Sequence, residues 1–113
     1  MWQKARDLAV EIYRLTAQFP PEERYGLASQ MRRAVISISS NIAEGYHRFS
    51  VKEKEQFFSI SFGSGSELES QLAISKVLFP NLNYSVSEQL LEEVMRMLNS
   101  FLREKIQKKV KLL

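Results

Sequence analysis

An all-α fold, an antiparallel up-down four-helix bundle, is predicted by three features of this 113-residue sequence. Apolar residues recur at i, i+3, i+4 and i+7 through four segments, the spacing that lines one face of a helix. The breaks between these segments are short and carry proline, glycine and asparagine. No stretch shows the apolar and polar alternation of a half-buried strand. The length suits a single domain, residues 1–113, built on one core.

The first helix is expected over about 2–18, where Ala5, Leu8, Ala9, Ile12, Leu15 and Phe19 recur at helical spacing. Pro20-Pro21 cannot continue it. A second helix is expected over 22–45, with Glu22 and Glu23 facing the unpaired N–H groups of its first turn. Its inward stripe is Leu27, Met31, Ala34, Val35, Ile38 and Ile42, and Gly45 reads as a left-handed C-cap.

Ser50-Val51-Lys52-Glu53 matches a capping box and opens a third helix over 50–79. Its core line is read as Phe57, Ser61, Ser64, Leu68, Leu72, Ser75 and Phe79, with Gly65 alongside. Small residues in such a seam permit close helix approach, and Gly63 and Gly65 each cost about 1 kcal/mol relative to alanine. A second capping box, Ser85-Val86-Ser87-Glu88, starts a fourth helix over 85–109. There Val86, Leu90, Val94, Met97, Leu98 and Phe101 are expected to face inward, and acidic residues lead while basic ones trail, as the helix dipole favours.

Hydrophobic residues at 44% and charged residues at 26% describe a folded chain rather than a disordered one. There is no cysteine, the first residues read as an amphipathic helix and not a signal peptide, and no segment approaches the ~20 apolar residues of a membrane span. A cytoplasmic protein with no membrane partner is the expectation. Catalysis finds little support. His47, the sole histidine, sits in a linker, and Ser37, Ser39 and Ser40 have no base in a recognisable motif. Glu44, Glu67 and Glu69 lack the Glu-x-x-His pairs of a bundle metal site. No enzyme activity, metal or cofactor is expected.

Three surface features remain. Gln30, Arg33, Ser37, Asn41 and Glu44 form a polar file beside the second helix's apolar stripe, with a counterpart in Ser64, Glu67 and Gln71. The two files are expected to meet, Arg33 or Asn41 bonding Glu67, and to set helix register. Tyr25, Ile36, Ala43, Phe58 and Phe62 lie off the core lines and are candidates for a homo-oligomer interface. The net charge of +3, with a pI near 9.3, inclines the chain toward anionic partners. Arg24, Arg32, Arg33, Arg48, Lys52 and Lys54 gather around the second helix, and Arg103, Lys105, Lys108, Lys109 and Lys111 crowd the C-terminal residues. All are candidates for nucleic-acid contact.

The residues Gln30-Met31-Arg32-Arg33-Ala34, Ser37-Ile38, Asn41-Ile42-Ala43-Glu44-Gly45, Gly63-Ser64 and Glu67-Leu68-Glu69 together resemble the 23S rRNA intervening-sequence, or S23-type, proteins. Ser39 stands where proline is common in that family. The resemblance implies a small bundle assembled as a homopentamer, similar to the accessory variability determinant protein of diversity-generating retroelements, a basic barrel that binds nucleic acid and a reverse transcriptase. The function expected is a non-enzymatic, oligomeric, RNA- or DNA-binding protein. The alternative is a scaffold that holds a partner protein without touching nucleic acid.

Overall fold

The computed structural model describes the backbone of residues 1–112 and the side chains of residues 1–104. Helices α1 (Trp2–Thr16), α2 (Leu27–Tyr46), α3 (Val51–Leu78) and α4 (Ser85–Leu112) follow in order, with a 3-10 turn at Pro21–Glu23. Each packs on two neighbours in a ring: α1 on α2, α2 on α3, α3 on α4, and α4 back on α1. This is an all-α four-helix arrangement. One cluster fills its centre, with Leu8 and Ile12 from α1, Ile38 and Ile42 from α2, Leu68 and Leu72 from α3, and Val94 and Leu98 from α4. Each such side chain contributes roughly 1.5–3 kcal/mol by leaving water.

The first two helices follow the predicted apolar stripes, which are strongly one-sided, although Leu27 is only half-buried and Ala28 joins the core. Their connection differs from expectation. Residues 22–26 are not α-helical: Pro21–Glu23 make one tight turn, and α2 opens only after Gly26. The Glu23 carboxylate accepts from the Leu27 N–H at 3.2 Å, so the acid acts as a detached cap rather than as part of the first turn. At the other end Gly45 is not a left-handed cap. It lies within the helix, and a Cβ there would strike the Phe58 ring, so the glycine serves close approach to α3. The terminal carbonyls of Gly45 and Tyr46 instead accept from the Lys54 ammonium, each at 3.1 Å.

In α3 the core line is displaced by one residue at its start. Phe58 is 2% exposed and packs edge-on against Tyr46 and Phe101, whereas Phe57 is half-buried under the Arg48 guanidinium. One residue is a 100° rotation. Apolar side chains are spread all round this helix, so its sequence carries little phase information, and Ile60, Ile74, Val77 and Leu78 are left facing out. In α4 the displaced positions are Leu91 and Met95, which join the core while Val86 is half exposed. Met95 lies against Gly65, where any Cβ would overlap its thioether.

Ser50 Oγ accepts from the Glu53 N–H at 3.3 Å, forming the serine half of the predicted cap on α3. The second predicted box does not form. Asn83 Oδ1 takes the Ser85 N–H at 3.0 Å and the Ser85 hydroxyl at 2.7 Å, and Ser87 is buried. The α3–α4 connection is anchored by Tyr84, whose hydroxyl donates to the carbonyls of Ser75 and Phe79, both at 2.9 Å. Burial raises the Tyr84 pKa above its ordinary value of 10.0. The folded state therefore holds that proton more tightly than the unfolded chain, so the stability this site contributes is present below pH 10.0 and declines as pH rises through the folded value. Tyr84→Phe is expected to lose about 1 kcal/mol at neutral pH and to flatten that alkaline decline, as read by urea denaturation across a pH series.

Candidate nucleic-acid interface

The basic side chains fall into two groups at opposite ends of α2. Arg33 lies roughly 20 Å along the α2 axis from the helix's last residue, Tyr46, at 1.5 Å per residue. At the α1–α2 corner, Arg24 and Arg32 line a small cleft beneath Pro20 and Pro21. At the α2–α3 junction stand Arg48, Lys52 and Lys54. Phe101 of α4 packs on Phe58 of α3 at 4.8 Å between ring centroids, which brings the far end of α4, and with it Arg103, to the same junction.

Several of these cations already serve the fold. Arg32 Nε donates to Thr16 Oγ1 at 2.8 Å and Nη2 to the Tyr13 carbonyl at 3.2 Å, while the guanidinium lies 4.6 Å from the centre of the Tyr13 ring. It is a clamp between α1 and α2 and leaves the list of nucleic-acid contacts. Lys54 leaves it for the same reason, because its ammonium closes the end of α2. Arg48 is shared between Glu44, at 3.0 Å, and the Phe57 ring. Arg24, Arg33, Lys52 and Arg103 are exposed and make no ion pair with any described residue. Lys105, Lys108, Lys109 and Lys111 lie outside the residues whose side chains are described.

The charge is unevenly distributed. Up to Glu104 the chain carries 12 basic against 13 acidic side chains, and beyond it four lysines and no acid, which together give the net +3. The whole positive excess therefore belongs to the C-terminal lysines.

The two polar files touch at one level only. Ser37 and Ser64 share a hydrogen bond of 2.8 Å across the α2–α3 seam. The expected bond from Arg33 or Asn41 to Glu67 is absent. Asn41 Nδ2 reaches back along its own helix to the Ser37 carbonyl, at 2.8 Å, and hydroxyl, at 3.1 Å. Glu67 accepts from Gln71 Nε2 at 3.2 Å. Glu44 is exposed and pairs with Arg48, and Gln30 and Arg33 point into solvent. Residues of one file sit i, i+3 or i+4 apart, so short amides and acids find partners within their own helix before they span the seam.

Of the interface candidates, Phe58 is corrected to a core residue. Tyr25 is 87% exposed, and Ile36 joins Val10 and Tyr13 in an apolar groove between α1 and α2. Ala43 is half-buried, and the partly buried Phe62 lines a cleft of about 780 Å³ between α3 and α4. The sequence reading missed Ile60, Ile74, Val77 and Leu78 on the outer side of α3, and the exposed Tyr46 and Phe49 in the α2–α3 turn. Their signal was available as apolar residues off any core line.

A family model described as 23S rRNA-intervening sequence protein matches residues 1–100. The chain belongs to that family. No curated protein matches it. Within the chain the Asn41–Gly45 segment is structural: Gly45 admits the Phe58 ring, Asn41 braces its own helix, and Glu44 pairs with Arg48. Ser39 sits within a continuous helix, its hydroxyl donating to the Ile36 carbonyl at 3.1 Å. The family match ends before Arg103 and the four lysines. Among the described residues no helix is long and apolar enough to cross a membrane, and no group of three or more acidic or histidine side chains is placed to hold a metal ion.

Two substitutions test the structural roles assigned to Arg32 and Asn41. Arg32→Gln should lower unfolding free energy by roughly 1 kcal/mol, since it removes a partly exposed charged hydrogen bond and a ring contact, and should leave nucleic-acid affinity unchanged in a fluorescence-anisotropy titration. Asn41→Ala, which cuts only bonds within its own helix, should cost less than about 1 kcal/mol by the same denaturation measurement.

Proposed function

We propose that this protein is a non-enzymatic homo-oligomer that binds RNA or DNA through basic residues, with Lys52, Arg103, Lys105, Lys108, Lys109 and Lys111 as the contacts. The charge distribution carries the reading. Acids outnumber bases up to Glu104, so the rest of the surface has no net attraction for phosphate, while four lysines follow within the last residues of α4. Such clusters bind nucleic-acid backbones by counterion release. The family description, which names an rRNA-intervening sequence, is consistent with a nucleic-acid role for its members.

Assembly rests on a separate observation. Val77 is 80% exposed, and Ile60, Ile74 and Leu78 are about half exposed on the outer side of α3, a helix already buried along its inner side. A helix apolar on both sides calls for a second cover. Gly63 lies on the same helix with open space where its Cβ would stand, so no contact with a described residue offsets its helix cost of about 1 kcal/mol. A second copy approaching α3 closely would do so, and a homopentamer is the assembly the family resemblance implies. The exposed aromatic and apolar side chains also favour a second reading, a scaffold for a partner protein.

Light scattering of the purified protein with and without a structured RNA, across a salt series, tests both parts. A multimer that binds RNA at low salt and releases it steeply as salt rises is expected; a multimer indifferent to RNA and DNA at every salt concentration would select the scaffold. Replacing Lys105, Lys108, Lys109 and Lys111 by glutamine should reduce the slope of log affinity against log salt by about 3 if each lysine meets one phosphate. Ile74→Lys together with Val77→Lys should yield a smaller particle of unchanged helicity, measured by light scattering and circular dichroism.

A further inference from the structure

We propose that the turn between α2 and α3 is a stacking platform for an unpaired base of a single-stranded nucleic acid, with Phe49 beneath the base and Arg48 and Lys52 beside it. The inference rests on the nucleic-acid reading above and specifies its ligand. Phe49 is fully exposed, at 101% of its reference area, and makes no ring contact with any described residue. The aromatic rings around it are engaged differently: Tyr46 turns its edge to Phe58, and Phe57 lies under the Arg48 guanidinium at 5.0 Å.

The backbone that presents Phe49 is tied on both sides. The His47 and Arg48 N–H groups donate to Glu44 and Gly45 carbonyls at 3.2 Å, the Lys54 ammonium holds the end of α2, and Ser50 caps α3. The side chain is therefore held in solvent by a fixed turn. Aromatic and basic residues are interleaved here, as Tyr46, Arg48, Phe49 and Lys52, which is the composition of surfaces that stack bases while cations follow the backbone. Lys52 also lines a shallow groove with Phe57 and Ile60 along the first turns of α3.

Two considerations select a single strand. A base inside a duplex offers no face to a side chain, whereas an unpaired base does. Glu44, Glu53 and Glu55 belong to the same end of the bundle, and Glu44 already takes part of the Arg48 charge, so a duplex laid across the turn would set two phosphate backbones near carboxylates. A single strand can rest its neutral base on Phe49 and leave its phosphates to Lys52 and to Arg103, which the Phe58–Phe101 contact brings to this end through the course of α4.

The test compares a fluorescein-labelled oligouridylate with a fully paired duplex, titrated against the full-length protein by anisotropy. Phe49→Ala should weaken oligouridylate binding roughly ten-fold with its salt slope unchanged, leave duplex binding unaltered, and be rescued by Phe49→Trp. Circular dichroism should show the same helicity, as Phe49 touches no part of the core. Equal affinity of Phe49→Ala and the unaltered protein for oligouridylate would overturn the platform while leaving the basic residues as the contacts, and so would an equal loss for both ligands. Failure of the unaltered protein to bind either probe at low salt would overturn the nucleic-acid reading itself, and the platform with it.

Discussion

Close contact between α2 and α3 is the constraint on which the rest of the structure depends. Gly45 lets the Phe58 ring lie against the α2 backbone, Ser61 donates to the Ile38 carbonyl at 2.8 Å, and Ser37 meets Ser64 hydroxyl to hydroxyl. Farther along, the Ser75 hydroxyl donates to its own helix at Gln71 and touches the Met31 sulfur at 3.4 Å. These contacts occur at successive levels and allow one antiparallel register. Small side chains bring the backbones close enough for the Ser61 hydroxyl to satisfy a buried carbonyl of α2 directly. Any larger residue at Gly45 would push α3 outward and move Phe58 away from Phe101 and Tyr46, and with them the end of the bundle where the cations gather.

That register also decides which charges are available to a partner. Lys54 falls within reach of the last carbonyls of α2 because α3 begins directly beneath them, and Arg32 reaches across to Thr16 because α1 ends beside the first turns of α2. Both cations satisfy backbone or hydroxyl acceptors that would otherwise face water or nothing. A count of lysines and arginines treats all of them as equivalent. Their surroundings divide them into clamps, shared residues and charges without an ion pair to any described residue, and those of the last kind at the α2–α3 end are Lys52 and Arg103, the latter followed in sequence by four more lysines.

The existence, order and approximate extent of the four helices were legible in the sequence, and so were the inward faces of α1 and most of α2, where charged residues occupy the opposite side. The inward face of α3 was not. Phe57 and Phe58 are equally apolar neighbours, and serines and glycines between them and Leu68 add no preference for one side. Leu90 and Leu91 pose the same ambiguity in α4, resolved by the place of Met95 against Gly65. The polar file does not form the expected network, with Gln30, Arg33 and Glu44 exposed and only Ser37 meeting its counterpart: spacing shows which residues share a face, whereas the partner of an amide depends on which acceptor is nearest, and for Asn41 that lies one turn back on its own helix.

By itself the sequence determined that the chain is a bundle of four helices, that it carries no cysteine, and that its positive charge is concentrated after Glu104. Periodicity and composition carry that information because each helix must bury one stripe and solvate the rest. Only the tertiary structure decided which cations are clamps, that Gly45 is a point of helix contact rather than a cap, and that Phe49 stands in solvent on a fixed turn. These depend on distances between residues remote in sequence, set by how closely two helices can pack, and no local pattern encodes them.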